Sequence, residues 1–176
     1  MRWYLVCPFW LIACSVSPPA NWAQGGAPLA MADATWEQTE GDKVTLTKAG
    51  EVLFDGDLVF VIDAAGRLFD DDHDPFALVE SDGTISGTEN EMLGRVGLRN
   101  ASPPWSEVAW LHVAIDGTVL VFGADGGPVN VGVWRGCDGP AIRTCTLISH
   151  LFVLEAMRRR AYVPDYPMMV GTGVWY

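Results

Sequence analysis

Val108-Ala109-Trp110-Leu111-His112-Val113-Ala114-Ile115-Asp116-Gly117-Thr118-Val119-Leu120-Val121-Phe122 is the stretch whose reading decides the fold. Two short runs rich in aliphatic and β-branched residues flank an Asp-Gly pair, and runs of this length suit strands rather than helices. Asp-Gly favours a tight hairpin because both turn positions take φ > 0. The same grammar continues outward. Runs at 44–47, 52–54, 58–62, 76–79, 84–86, 96–98 and 129–134 alternate with Gly and Asp, and further pairs stand at Asp55-Gly56, Asp82-Gly83 and Asp125-Gly126. The expectation is a mainly β domain, an antiparallel sandwich or small partly open barrel built from hairpins.

A faint period runs through these turns. Val61 to Leu68, Leu78 to Ile85 and Ala114 to Val119 each place aliphatic residues around a turn ending in Gly, and the glycines at 66, 83 and 117 stand 17 and then 34 residues apart with Asn100 at the midpoint. Such spacing points either to repeated hairpin units side by side or to hairpin chemistry recurring without a true repeat. At Thr144 the pattern changes. Leu147, Ile148, Leu151, Phe152, Leu154 and Met157 recur at helical spacing on a broad apolar face, which predicts one C-terminal helix over about 144–160, packed on the β domain by that face, with Glu155 and Arg159 as an i, i+4 pair. Pro164 and Pro167 then enforce an irregular stretch, and Met169–Tyr176 reads as a last edge strand.

Composition bounds the function. The chain has 176 residues, 49% of them hydrophobic and 19% charged, which describes a folded globule of one domain rather than a disordered chain. A formal net charge of −11 argues against a grip on phosphate backbones, so nucleic acid is not expected as a partner.

The amino-terminal segment carries the most specific motif. After Met1-Arg2, residues Trp3 to Ala13 form an apolar run too short to span a bilayer, which takes roughly 20 residues. It ends in Leu11-Ile12-Ala13-Cys14, which resembles the lipobox of bacterial lipoproteins, although the positive region is a single arginine and Pro8 interrupts the run. The resemblance covers about the first fourteen residues. It implies a signal peptide over 1–13, cleavage before Cys14, diacylglycerol on its thiol, and acylation of the new amino terminus. Ser15 follows, and in the enterobacterial type an aspartate there retains lipoproteins at the inner membrane; an outer-membrane destination is therefore favoured. Two other readings stay open: an ordinary secretory signal cut near Ala20 or Ala23, and translation starting at Met31. Residues 14–34, rich in Pro, Gly, Ala and Ser, are expected to be a lipidated flexible tether, leaving 35–176 as a single β-rich domain.

Once the export signal is accepted, two of the four cysteines remain, Cys137 and Cys145, across a turn-rich segment in an oxidising compartment, and a structural disulfide between them is expected. Asp70, Asp72 and Asp74 alternate as Ca²⁺ ligands would. Pro75 and Ser81, however, occupy positions where an EF-hand needs Gly and Glu, so a hydrated turn is the preferred reading. His73, His112 and His150 show no paired metal spacing, and adjacent Ser149 and His150 on a helix point about 100° apart, too far for a nucleophile and its base. No catalytic residue, metal or cofactor is assigned. Among the tryptophans, Trp110 and Trp134 lie within apolar strands and read as core, whereas Trp105, after Pro103-Pro104, is the candidate for an exposed contact. The expectation is a monomeric, membrane-anchored envelope lipoprotein working as a non-catalytic binding or adaptor module for a basic protein or a glycan. A secreted or periplasmic hydrolase and an inhibitor of a basic cell-wall enzyme are the alternatives.

Overall fold

The computed structural model describes residues 17–123 and 127–161. Twelve strands and one long helix follow in chain order: β1 (Ala34–Gln38), β2 (Lys43–Leu46), β3 (Glu51–Phe54), β4 (Asp57–Ile62), β5 (Arg67–Asp70), β6 (Pro75–Val79), β7 (Thr84–Gly87), β8 (Met92–Val96), β9 (Asn100–Ser102), β10 (Leu111–Val113), β11 (Thr118–Phe122), β12 (Pro128–Arg135) and α1 (Ile142–Ala161). Each strand pairs antiparallel with its neighbours in sequence, and β1 pairs with β12, so the sheet is a closed barrel. The mainly β, hairpin-built fold with a C-terminal helix stands, and the barrel has no open side.

The barrel is a ring of six hairpins. Where one hairpin joins the next, a turn residue offers its carbonyl to an amide on the strand that precedes the turn of the next hairpin: Ile62 N to Gly50 O, Val79 N to Gly66 O, Val96 N to Gly83 O, Val113 N to Arg99 O and Trp134 N to Gly117 O, all at 2.7–2.9 Å. The period of 16–18 residues is thus a structural repeat. The structure places Arg99, not Asn100, at the fourth position and adds Gly50 before the first. Next to these turns, cross-strand pairs fill the interior: Leu46 with Val52, Ile62 with Leu68, Val79 with Ile85, Val96 with Ala101, and Val113 with Val119. Every one is buried. At the β12–β1 junction Trp36 faces Trp134, with rings stacked at 5.9 Å.

The Asp-Gly pairs divide into two kinds. At Asp55-Gly56 both residues have positive φ (51° and 100°), the two-residue hairpin expected from the sequence. At Asp82-Gly83 and Asp116-Gly117 only the glycine does, because the turn is one residue longer and the aspartate accepts from the amide of Thr84 or Thr118 instead. Those bonds hold both carboxyls below their ordinary pKa. A Cβ on Gly83 would overlap the carbonyl oxygen of Val96, so both the φ of 90° and the close approach demand glycine. Asp125-Gly126 lies outside the described residues.

Twelve strands enclose more space than their own side chains fill, enough for a helix about 10 Å across. α1 occupies it. Ala141 to Leu151 are buried almost without interruption on every face of the helix, and the chain becomes exposed only from Glu155. The buried hydroxyls there are satisfied from within: Thr146 and Ser149 donate to the carbonyls of Ile142 and Cys145 one turn back, and Trp134 Nε1 donates to Ser149 Oγ at 2.8 Å. Phe152 meets Trp36, Phe54 and Phe60. The helix therefore threads the barrel, rather than packing on it with one apolar face as the spacing suggested. It begins two residues before the expected start, and the Cys137–Cys145 disulfide ties its first turns to the end of β12.

The barrel has two unlike ends. At the turn end, where α1 enters, the connections 47–50, 63–66, 80–83, 97–99 and 114–117 are uniformly short; at the loop end, where α1 leaves, connections range from 55–56 to 103–110. The segment expected to be a flexible tether departs from that reading over residues 19–34. Ala20 N donates to Asn90 Oδ1 at the loop end, Trp22 meets Phe69 edge-on at 5.1 Å, and Gly26, Ala27 and Leu29 bond to backbone carbonyls of Ala65, Val79 and Ala64 at the turn end. This strap covers Leu78, which points outward from β6 yet is fully buried. Its carbonyl at Ala30 accepts from Thr144 Oγ1 of α1 at 2.7 Å. Pro, Gly and Ala suit close backbone approach as well as they suit slack, and composition does not separate the two. Residues 1–16, including Cys14, lie outside the described residues, as does the edge strand expected at Met169–Tyr176.

Candidate functional site

His150 is the one fully buried ionisable side chain among the described residues. Trp110 Nε1 donates to His150 Nδ1 at 3.0 Å, and His150 Nε2 lies 2.9 Å from the carbonyl oxygen of Leu93. Because a carbonyl only accepts and an indole N–H only donates, the imidazole is neutral with its proton on Nε2. Burial pushes its pKa below 6.5, and the bond to Leu93 O offsets this only in part. Gly94 makes the approach possible, since a Cβ there would collide with His150 Nε2 and the carbonyl of Ser102. Both ring nitrogens are thus committed to holding α1 in the barrel. Ser149 is equally committed, to Trp134 and Cys145, and does not bond to His150.

The remaining sequence candidates lie apart. His112 on β10 pairs across the strand with Asn100 at 2.7 Å. Asp70 closes the β5–β6 connection as a turn former, its Oδ1 accepting from the amides of Asp72 and Asp74, with His73 at φ 66°. Among the described residues no three His, Cys, Asp or Glu side chains converge. A groove of about 280 Å³ at the turn end is lined by the 115–117 turn and by 133–138, with no histidine among its walls.

What stands out is the loop end. The 103–110 connection folds over the mouth of the barrel beside α1, with Pro103 and Trp110 buried and Trp105 and Val108 exposed to 66% and 75%. Trp105 meets Trp110 edge-on at 5.8 Å, so the exposed indole is braced on the indole that holds His150. Phe122 N donates to Trp110 O, and Met92 and Met157 add exposed apolar surface at the same end. Arg158, on the emerging helix, pairs with Glu91 at 3.9 Å. The sequence pointed to Trp105 through its Pro-Pro-Trp loop and assigned Trp110 and Trp134 to the core, as found. It missed His150 as the lynchpin of the interior, because a polar residue with no motif around it gives no signal. Comparison with protein-family models, with curated proteins and with solved structures found no match for the chain.

Proposed function

We propose that the protein is a lipid-anchored envelope protein that works as a non-catalytic binding module. The observation that carries the binding half is the filled lumen: the space in which a large barrel would hold a small ligand contains α1, and the histidine there is spent on structure. Recognition then falls to the surface, where Trp105 and Val108 offer a rigid apolar projection. The anchoring half rests on the Leu11-Ile12-Ala13-Cys14 resemblance to a lipobox. Acyl chains add about 0.8 kcal/mol per buried CH₂, so two or more on Cys14 hold a protein on a bilayer durably.

The test is fractionation of bacteria expressing the full chain, combined with intact mass. The expected mass corresponds to acylated Cys14 onward, and Cys14→Ala should move the protein from the membrane to the aqueous fraction while it keeps its melting temperature. A mutant that stays with the membrane, or a parent mass without acyl chains, overturns the anchor.

A further inference from the structure

From the place where Ala20 is held, we infer that the loop end of the barrel is a membrane-contacting surface, with Trp105 and Val108 seated in the lipid interface. The inference rests on the lipid-anchor reading and gives the anchored protein an orientation. Ala20 is fixed to Asn90 at the loop end and lies only six positions after Cys14, a reach of at most about 20 Å even when fully extended. The loop end therefore stands within that reach of Cys14. To present the turn end, the same residues would also have to run back along a wall of strands of about five residues, on the order of 15 Å, which leaves almost no chain for the bilayer.

The surface held there suits the occupant. Trp105, Val108, Met92, Phe122 and Met157 are exposed apolar side chains at that one end. Tryptophan favours the headgroup boundary, where its ring is apolar and its N–H stays wet. Charge says which kind of contact this is. The loop-end connections carry carboxylates all round the rim, Glu40, Asp42, Asp72, Asp74, Glu91 and Glu107 among them, and the cations of the emerging helix, Arg158 and Arg159, are paired with Glu91 and Glu155, so anionic headgroups are not attracted and the contact is made by the apolar side chains. Leu98 and Ile115 are also exposed, at 58% and 92%, but on the turn end, and they serve as an internal control.

The experiment uses full-length lipoprotein purified from membranes and reconstituted in phosphatidylcholine vesicles. A single cysteine is introduced at Val108→Cys or Ile115→Cys and labelled with an environment-sensitive fluorophore under non-reducing conditions, with Cys137 and Cys145 held as the disulfide. The expected result is a blue shift and several-fold protection from aqueous iodide for the label at 108, and neither for the label at 115. If the protein floats with the vesicles and the label at 108 is as accessible as the one at 115, the orientation is overturned and the anchor stands. If an unacylated chain still floats and protects position 108, the anchor falls and the surface stands. If it does not float at all, both fall.

Discussion

At the scale of single residues, the molecule turns on a few positions whose chemistry is fixed by what surrounds them. His150 is neutral in the fold because protonating Nδ1 would set an N–H against the indole N–H of Trp110 in a buried site. The sign of the linkage follows. A folded-state pKa below the unfolded 6.5 means that the unfolded chain binds the extra proton first, so stability is full above about pH 6.5 and declines as pH falls below it. The melting temperature is expected to drop between neutral pH and pH 5 more steeply for the parent than for His150→Gln, measured at constant ionic strength. A parallel decline in both would show that the histidine is not the proton-linked group. The charged neighbours at this end, Glu91 with Arg158 and Glu155 with Arg159, are exposed pairs, worth little in water.

At the scale of elements, the sequence was legible where local physics decides and silent where distant segments meet. Strand lengths, turn glycines and the existence of a C-terminal helix all follow from short-range pattern. The helix's position did not, because Thr144, Thr146, Ser149 and His150 look like a polar face when read along the chain. Each is in fact bonded to a carbonyl or an indole, and a hydroxyl donating one turn back can be buried at little cost. The strap was illegible for the opposite reason: Ala27 and Leu29 are too sparse to show a period, yet both are buried against the barrel. Leu29→Ala is expected to cost on the order of 2–4 kcal/mol of unfolding free energy in denaturant titrations, as large-to-small changes in packed sites do. Gln24→Ala, on an exposed residue of the same strap, should change it by less than about 0.5 kcal/mol. Equal, small effects would show that the strap is not part of the cooperative unit.

At the scale of the whole molecule, the ring and the helix depend on one another. Closure joins β1 to β12, with Glu37 and Arg135 in contact across 98 positions of sequence, and no local signal reveals such a pairing or the number of strands it needs. This long-range closure implies slow folding relative to helical domains of similar size. Closure also blocks α1 from leaving sideways, and the bonds of His150 to Trp110 and Leu93, with the Cys137–Cys145 disulfide, hold it along the barrel axis. Amides of residues 146–151 are therefore expected to exchange with solvent deuterium only at the rate of global unfolding, together with those of β1 and β12. Exchange of the helix ahead of the strands, measured by native-state hydrogen exchange, would mean that it slides out of a standing barrel. The site was legible in part for a related reason: a Pro-Pro-Trp loop announces an exposed ring, but its neighbours at the barrel mouth, Met92, Phe122 and Met157, come from three other segments.

The absence of an open side on the ring also limits the language in which this protein can recognise anything. Many binding domains lend a bare strand to an extended peptide and read it through the main-chain ladder. Here, among the described residues, every strand is already bonded on both flanks, from β1 through β12 and back. The same feature that denies a template for runaway self-assembly denies peptide capture by strand addition. Affinity has to come from side chains and the backbone of the connecting loops, and the connections at the mouth, unlike the uniform turns at the opposite end, are the ones whose length the barrel leaves unconstrained.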